Sequence, residues 1–228
     1  AEIVAATGGR AWGGEARGPI RTDSRAGVAG AWFLALVGER FDGHAFVTGA
    51  QAAGAVGVVV SRQVEGLSIP CVQVGETTRA LQDLGRAARA RLRGPVVGVT
   101  GSSGKTTTRG LIAAALAQLG PVHQTTGNLN NHLGVPLTLL DAPEDAAAAV
   151  VEMGTSSPGE IRFLAELVEP DARLVVNVGP AHLEELGGLE GVAREKGSLL
   201  DTARPGDVVA LNVDDPFLVR MRPGGRVV

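Results

Sequence analysis

The sequence predicts an α/β protein in two parts, a small N-terminal α/β unit over residues 1–93 and a second unit over 94–228 with a mainly parallel sheet. Three observations predict it. Short β-branched apolar runs alternate with stretches whose apolar residues recur at helical spacing, the pattern of layered strands and helices. Residues 96–108, VVGVTGSSGKTTT, read as a buried strand, a glycine-serine loop and the start of a helix. Arg93-Gly94-Pro95 interrupts the pattern and marks a boundary.

Composition narrows the function classes. The chain has 228 residues, 33 of them glycine and 12 proline, with a net charge of −3. That balance gives no electrostatic reason to expect nucleic acid or an anionic membrane as partner. Cys71 is the only cysteine, which rules out a disulfide framework and suits a reducing cytosol. No apolar run is long enough to span a bilayer, and the first residues do not read as a secretory leader. A cytoplasmic monomer without membrane insertion is the expectation.

In the first unit, Trp32–Leu36, Val56–Ser61 and Cys71–Val74 read as strands, and His44–Ala55 and Thr78–Leu92 as helices. The second of these helices carries Leu81, Leu84, Ala88 and Leu92 on one face. Two polar loops precede these elements, Thr22-Asp23-Ser24-Arg25 and Gly38-Glu39-Arg40-Phe41-Asp42-Gly43-His44. Asp, Ser and Arg are residue types that hold sugar hydroxyls and phosphates, and they are equally residues of ordinary turns.

The second unit opens with the strand through Val96, Val97 and Val99. The helix after the loop is marked by Leu111, Ile112, Ala115, Leu116 and Leu119. Strand, glycine loop, Lys-Thr and helix is the context of a phosphate-binding loop: glycines admit phosphates close to the backbone, and the helix start offers free N–H groups. Lys105 would reach the terminal phosphates, and the Thr106 hydroxyl would meet a bound magnesium. The spacing departs from the general G-x-x-x-x-G-K-[ST] pattern, because Gly98 is one residue early and Gly101 is late.

Pro121–Thr125 reads as a short strand, followed by the amide-rich loop Thr125–Pro136 with Asn128, Asn130 and Asn131. That loop is either a long turn or a grip for a polar ligand. Ala146–Val151 reads as a strand ending at Glu152, a candidate magnesium partner. A helix follows from Glu160 to about Val168, then a strand over Arg173–Val178 that leads to His182. In open α/β sheets ligands bind beyond the carboxyl ends of the strands, so Glu152 and His182 can face the crevice of the phosphate loop. Leu189–Ala203 reads as a helix and Asp207–Asn212 as a strand, with another strand beginning near Val228.

Lys and Arg total 21, yet Lys105 and Lys196 are the only lysines. Arginine stays protonated, whereas a lysine amine can lose its proton and react. A neutral amine at Lys196 could take up carbon dioxide and become a carbamate, an anionic oxygen ligand that arginine cannot form.

Several stretches in order resemble the Mur ligase family, the ATP-dependent amide-bond-forming enzymes of peptidoglycan synthesis. They are Thr100–Thr107, with its irregular first glycine, Thr126–Asn131 through Gly134-Val135-Pro136, and Glu152-Met153-Gly154 through Ile161. Asn177–Glu184, Gly191–Gly197 and Leu211–Asp215 continue the likeness, and Asp23-Ser24-Arg25 and Asp42-Gly43-His44 resemble the family's UDP-sugar domain.

The likeness is greatest to the branch that adds D-alanyl-D-alanine to UDP-N-acetylmuramoyl-tripeptide through an acyl phosphate; sister muramyl ligases, folylpolyglutamate-type ligases and a nucleotide-sugar-binding module without turnover are the alternatives. It implies a role in cell wall biogenesis, with ATP and two Mg²⁺ as cofactors. Gly101, Ser102, Ser103, Gly104, Lys105, Thr106 and Thr107 would bind ATP, Thr106 and Glu152 one magnesium, and His182 with a carbamylated Lys196 the second. Lys105, His182 and Lys196 are the expected catalytic residues, and Asp23, Ser24, Arg25, Asn128, Asn130 and Asn131 the expected substrate contacts. The family also implies an adenine-contacting segment and a third domain beyond Val228, so the chain is expected to be a fragment that is inactive alone.

Overall fold

The computed structural model describes residues 1–25, 27–39 and 41–228. Arg40 of the second polar loop lies outside the described residues. The chain divides into two compact units, Ala1–Ala87 and Ala88–Val228. The division falls within the last turns of a helix, a little before the expected boundary at Arg93, because Ala88 and Leu92 pack on the core of the second unit.

The first unit begins with α1 (Glu2–Thr7) and β1 (Arg10–Trp12), neither of them evident from sequence periodicity, and continues with β2 (Ile20–Arg21) and β3 (Trp32–Leu34). A 3₁₀ turn at Gly43–Phe46 leads into α2 (Val47–Ala52), and β4 (Gly57–Val60), β5 (Cys71–Gln73) and α3 (Thr77–Arg91) follow. The sheet order is β1-β5-β4-β3-β2. Among the described strands of this sheet, only β1 runs antiparallel to its neighbour. Every residue of β3 and β4 is buried, as expected of inner strands of a parallel sheet covered on both faces. Phe33, Val47, Val58, Val60 and Cys71 share one core, each large apolar side chain contributing about 1.5–3 kcal/mol on burial. The first strand is shorter than the expected Trp32–Leu36. Leu36 turns back, its N–H donating to the Leu34 carbonyl while its own carbonyl accepts from Gly43.

The second unit carries a six-stranded sheet. Its elements are β6 (Val96–Thr100), α4 (Lys105–Leu116), β7 (Val122–Gln124), α5 (Gly134–Leu140), β8 (Ala148–Glu152) and α6 (Glu160–Val168). They continue with β9 (Ala172–Val175), α7 (Leu183–Leu186), α8 (Leu189–Asp201), β10 (Val208–Leu211) and β11 (Arg226–Val227). The order is β11-β10-β9-β6-β8-β7, with every pairing parallel. Side-chain alternation splits the core in two. Val96, Ala149 and Val151 face Leu164, Leu167 and Leu199. Val99 and Val150 face Ala113, with Ile112 and Leu116 of α4 packed against them.

Two expectations change here. Helix α5 begins inside the stretch read as a loop to Pro136. Asn131 Oδ1 accepts the N–H groups of Leu133 and Gly134 at 3.2 and 2.9 Å, and Pro136 falls in the first turn, where no N–H is needed. Strand β9 ends at Val175 rather than Val178, because Asn177 and Gly179 bond to the glycine loop instead of a neighbouring strand.

Candidate active site

Parallel strands all present their carboxyl ends on one edge. Three such ends in the second unit carry the predicted residues: the loop after β6 with Lys105, the loop after β8 following Glu152, and the loop after β9 with His182. Gly104 caps the N-terminus of α4 at φ 75°, a left-handed conformation that glycine adopts without steric penalty. The loop is clamped to the β9 end: Ser103 N–H donates to Asn177 Oδ1 at 3.0 Å, Asn177 Nδ2 donates to Ser103 Oγ at 3.1 Å, and Ser102 Oγ donates to the Gly179 carbonyl at 2.9 Å. Lys105 Nζ is folded back on the Gly101 carbonyl at 2.8 Å.

A cavity of about 230 Å³ opens between these loops, and Ser102, Lys105, Asn130, Asn131, His182 and Lys196 line it. His182 takes a left-handed backbone at φ 53° and caps α7. Lys196 comes from the middle of α8 and is 3% exposed. Among the described residues nothing hydrogen-bonds or ion-pairs with its ammonium. Burial, and then the charge of Lys105, pull its pKa down to about 8 against the opposing pull of Glu195. Glu195 itself is spent on the helix start of α6, accepting from the Gly159 and Ile161 N–H groups at 2.7 and 2.8 Å. Glu160, also on the cavity wall, is raised by burial but lowered more by the N–H groups of Ser156 and Ser157 and the Thr155 hydroxyl, so it stays ionised below its ordinary range. With two lysines converging, the cavity is suited to a polyanion.

Glu152 lines an adjoining recess of about 300 Å³ with Gly104, Thr106, Thr107, Asn128 and Asn130. The residue is 2% exposed. Its Oε2 accepts the Thr106 hydroxyl at 3.0 Å and Arg109 Nη1 at 3.1 Å, and its Oε1 accepts Asn130 Nδ2 at 2.9 Å. Thr125 Oγ1 accepts the Glu152 N–H at 2.9 Å. Thus Asn130, expected at the substrate, has its amide group committed to Glu152. The side-chain oxygen of Asn131 is likewise committed to the start of α5, and Asn128 is exposed at the recess.

Asp23, Ser24 and Arg25 lie in the first unit. Asp23 accepts from Arg25 Nη2 at 2.9 Å, and the Arg25 side chain, then its N–H, hold the carboxyl at about 2. A second ordered group in the first unit is built on His44. The Ser61 N–H donates to His44 Nε2 at 2.9 Å, which makes that nitrogen the acceptor and leaves the proton on Nδ1, 2.6 Å from Asp42 Oδ1. The His44 N–H, then its ring, lower Asp42 to about 2.

Sequence reasoning passed over Arg109, Asn177 and Asp215. Arg109 follows Thr106 by one helical turn, a spacing that places both on one face. Asp215 accepts the Val178 N–H at 2.7 Å and the Phe217 and Leu218 N–H groups, bracing the loop that leads to His182. Strand-end position was the available signal for both Asn177 and Asp215.

The family description "Mur ligase middle domain" matches residues 99–225, and "Mur ligase family, catalytic domain" matches residues 19–91. The UDP-N-acetylmuramoyl-tripeptide–D-alanyl-D-alanine ligase of Synechocystis sp. is 46% identical over 202 residues, which are 88% of this chain and 44% of that protein. A crystal structure of MurF from Acinetobacter baumannii superposes with a TM-score of 0.91 at 35% identity, over 99% of this chain and 51% of the other. A MurF ligase of Thermotoga maritima in complex with ADP superposes with a TM-score of 0.82 at 32% identity, covering 92% and 49%. The chain therefore spans about half the length of these relatives. With the phosphate-type loop, the Glu152 recess and the two-lysine cavity all inside the matched middle domain, the chain belongs to the Mur ligase family.

Proposed function

We propose that this chain supplies the substrate-binding and nucleotide-binding parts of a MurF-type ligase, which joins D-alanyl-D-alanine to UDP-N-acetylmuramoyl-tripeptide at the expense of ATP in the cytoplasm. The observation that carries the reading is the convergence of Lys105, His182 and Lys196 on one cavity at the strand ends, in a chain whose relatives bear that name.

The residues fit a nucleotide and a magnesium ion. Gly104 and the free N–H groups at the start of α4 form a phosphate cradle, and Lys105 can turn from the Gly101 carbonyl to a phosphate. The Thr106 hydroxyl and the Glu152 carboxylate meet at 3.0 Å, the sparse oxygen set that magnesium uses when phosphates and waters complete its shell. Bound there, the ion would neutralise charge on the β- and γ-phosphates.

The tripeptide's terminal carboxylate attacks the γ-phosphorus, and the bond to the bridging oxygen breaks, giving an acyl phosphate and ADP. The free amine of D-alanyl-D-alanine then attacks the acyl carbon, phosphate leaves, and the amine loses its proton. Lys105 and the loop amides position and neutralise the transferring group. Lys196, as a carbamate, would turn an unpaired buried cation into an anion beside Lys105. With His182 it would hold a second magnesium near the attacking carboxylate. Asp23, Ser24 and Arg25 of the first unit, with Asn128 and Asn131, are the proposed contacts for the UDP-muramoyl end.

Calorimetry on this chain tests the binding half: ATP with magnesium should bind, and Lys105→Ala should weaken it at least tenfold, by about 1.4 kcal/mol or more. In the chain extended to the length of its relatives, phosphate release should require D-alanyl-D-alanine together with the UDP-muramoyl tripeptide. Equal release with other amines would favour a sister ligase.

A further inference from the structure

We propose that Arg109 is a built-in counter-cation to Glu152 that makes divalent-cation binding at this corner depend on nucleotide phosphates. The inference rests on the reading of Thr106 and Glu152 given above.

Glu152 is a buried carboxylate, its side chain 3% exposed, and among the described residues Arg109 is the cation paired with it, itself 11% exposed. A carboxylate taken out of water must be compensated. Arg109 Nη1 donates at 3.1 Å to Oε2, the same oxygen that accepts the Thr106 hydroxyl. A divalent ion held between Thr106 and Glu152 competes for that oxygen, and the Thr106 hydroxyl must turn its proton away. It then approaches a carboxylate whose charge the guanidinium already balances, with a fixed positive charge close by.

The rest of the corner adds no negative charge. Asn130 and Thr125 contribute neutral groups, and among the described residues no group of three or more His, Cys, Asp or Glu side chains gathers to hold a metal. Phosphate oxygens supply the missing negative charge, so the ion enters with the nucleotide rather than before it. Arg109 gives up little by yielding: its second contact, to the Gly127 carbonyl, is at 3.5 Å, and among the described residues its buried Nε has no partner. Arg109 is thus a positioning residue acting through Glu152, with no contact to substrate required.

Mn²⁺ titration followed by electron paramagnetic resonance reads this directly on the chain. Without nucleotide, the wild type should bind Mn²⁺ weakly, and Arg109→Met should bind it on the order of tenfold more tightly or better, because a repelling unit charge is removed. Adding Glu152→Gln to Arg109→Met should abolish the gain. Arg109→Lys, which keeps the charge, should bind as weakly as wild type. Arg109→Gln, which keeps a donor to Glu152, is the second neutral variant should the methionine fail to fold. A purely structural arginine predicts the opposite sign: neutral variants would lose affinity as Glu152 drifts. An unchanged or weaker affinity in the folded neutral variants overturns the inference. Measured against a protein-free control that accounts for Mn²⁺ chelated by ATP itself, ATP should raise the Mn²⁺ bound to the wild type and do so far less in Glu152→Gln. If that holds while the neutral variants show no nucleotide-free gain, only the role of Arg109 fails. If ATP has no effect, the magnesium reading of Glu152 fails and takes the inference with it.

Discussion

Lys196 should react with carbon dioxide at neutral pH, and the reason is its burial. A lysine with its ordinary pKa of 10.5 is neutral in about 0.03% of molecules at pH 7, whereas one held at about 8 is neutral in about 9%, a gain of about 300-fold. Only the neutral amine attacks carbon dioxide. With ¹³C-bicarbonate, the chain should show a carbamate carbon resonance that is absent from Lys196→Arg. At a fixed concentration of dissolved carbon dioxide, its rate of appearance should rise about fivefold from pH 7 to 8, as the neutral fraction climbs toward one half.

The same shift fixes the sign of a stability change. Between pH 8 and 10.5 the unfolded chain binds more protons at this lysine than the folded chain does, so stability rises with pH through that window. Below pH 8 the full cost of the buried cation is present, about 3 kcal/mol for a shift of this size. In buffer free of carbon dioxide, Lys196→Met should therefore be more stable than wild type at pH 7 by up to that amount, and the advantage should fade toward pH 10.5. Urea melts at both pH values measure it. A methionine variant less stable at pH 7, together with no lysine-dependent carbamate signal, would refute the reasoning.

Three further outcomes follow from particular contacts. Arg173 is buried and donates to Asp207 at 2.7 Å and to the carbonyls of Pro170 and Thr202; Arg173→Ala should destabilise the chain by about 3 kcal/mol in urea, at the low end for a broken buried pair because Arg204 still faces Asp207. A Cβ at Gly191 would stand 1.6 Å from the Leu186 carbonyl oxygen, so Gly191→Ala must push α7 from α8. A loss toward the upper part of about 1–3 kcal/mol is expected, and a neutral effect would contradict the packing. The Asp42 carboxyl should titrate by NMR with a midpoint at about 2. Being lowered, it favours the folded state above the ordinary aspartate range and loses that contribution as pH falls toward 2; a midpoint near 4 would dissolve the His44–Asp42 pairing.

Much of the fold was readable because it is local. The strand through Val96 and the helix after Gly104 are recognisable from one run of residues, since apolar period and glycine position depend only on neighbours in the chain. The helix that ends the amide-rich loop was not readable: Asn131 Oδ1 holds the Leu133 and Gly134 N–H groups ahead of α5, and an asparagine in a loop reads equally as a turn. Strand β9 was read too long because Val176 and Val178 keep its apolar pattern, while the glycine loop beside it takes over the hydrogen bonds of Asn177 and Gly179.

Sequence alone determined the chemistry that one segment can carry: a phosphate-type loop with Lys105 and Thr106, an acid at the end of a buried strand, and a second lysine in a chain that otherwise uses arginine. Tertiary structure decided what each of these groups faces. Placing β6 between β8 and β9 brings Glu152 to Thr106 and Arg109 and gathers Lys105, His182 and Lys196 around one cavity. Burial, and then the charge of Lys105, pull the pKa of Lys196 down to about 8 against the opposing pull of Glu195. The physical reason is that charge, burial and pairing depend on neighbours in space, and the non-sequential order of a parallel sheet sets those neighbours.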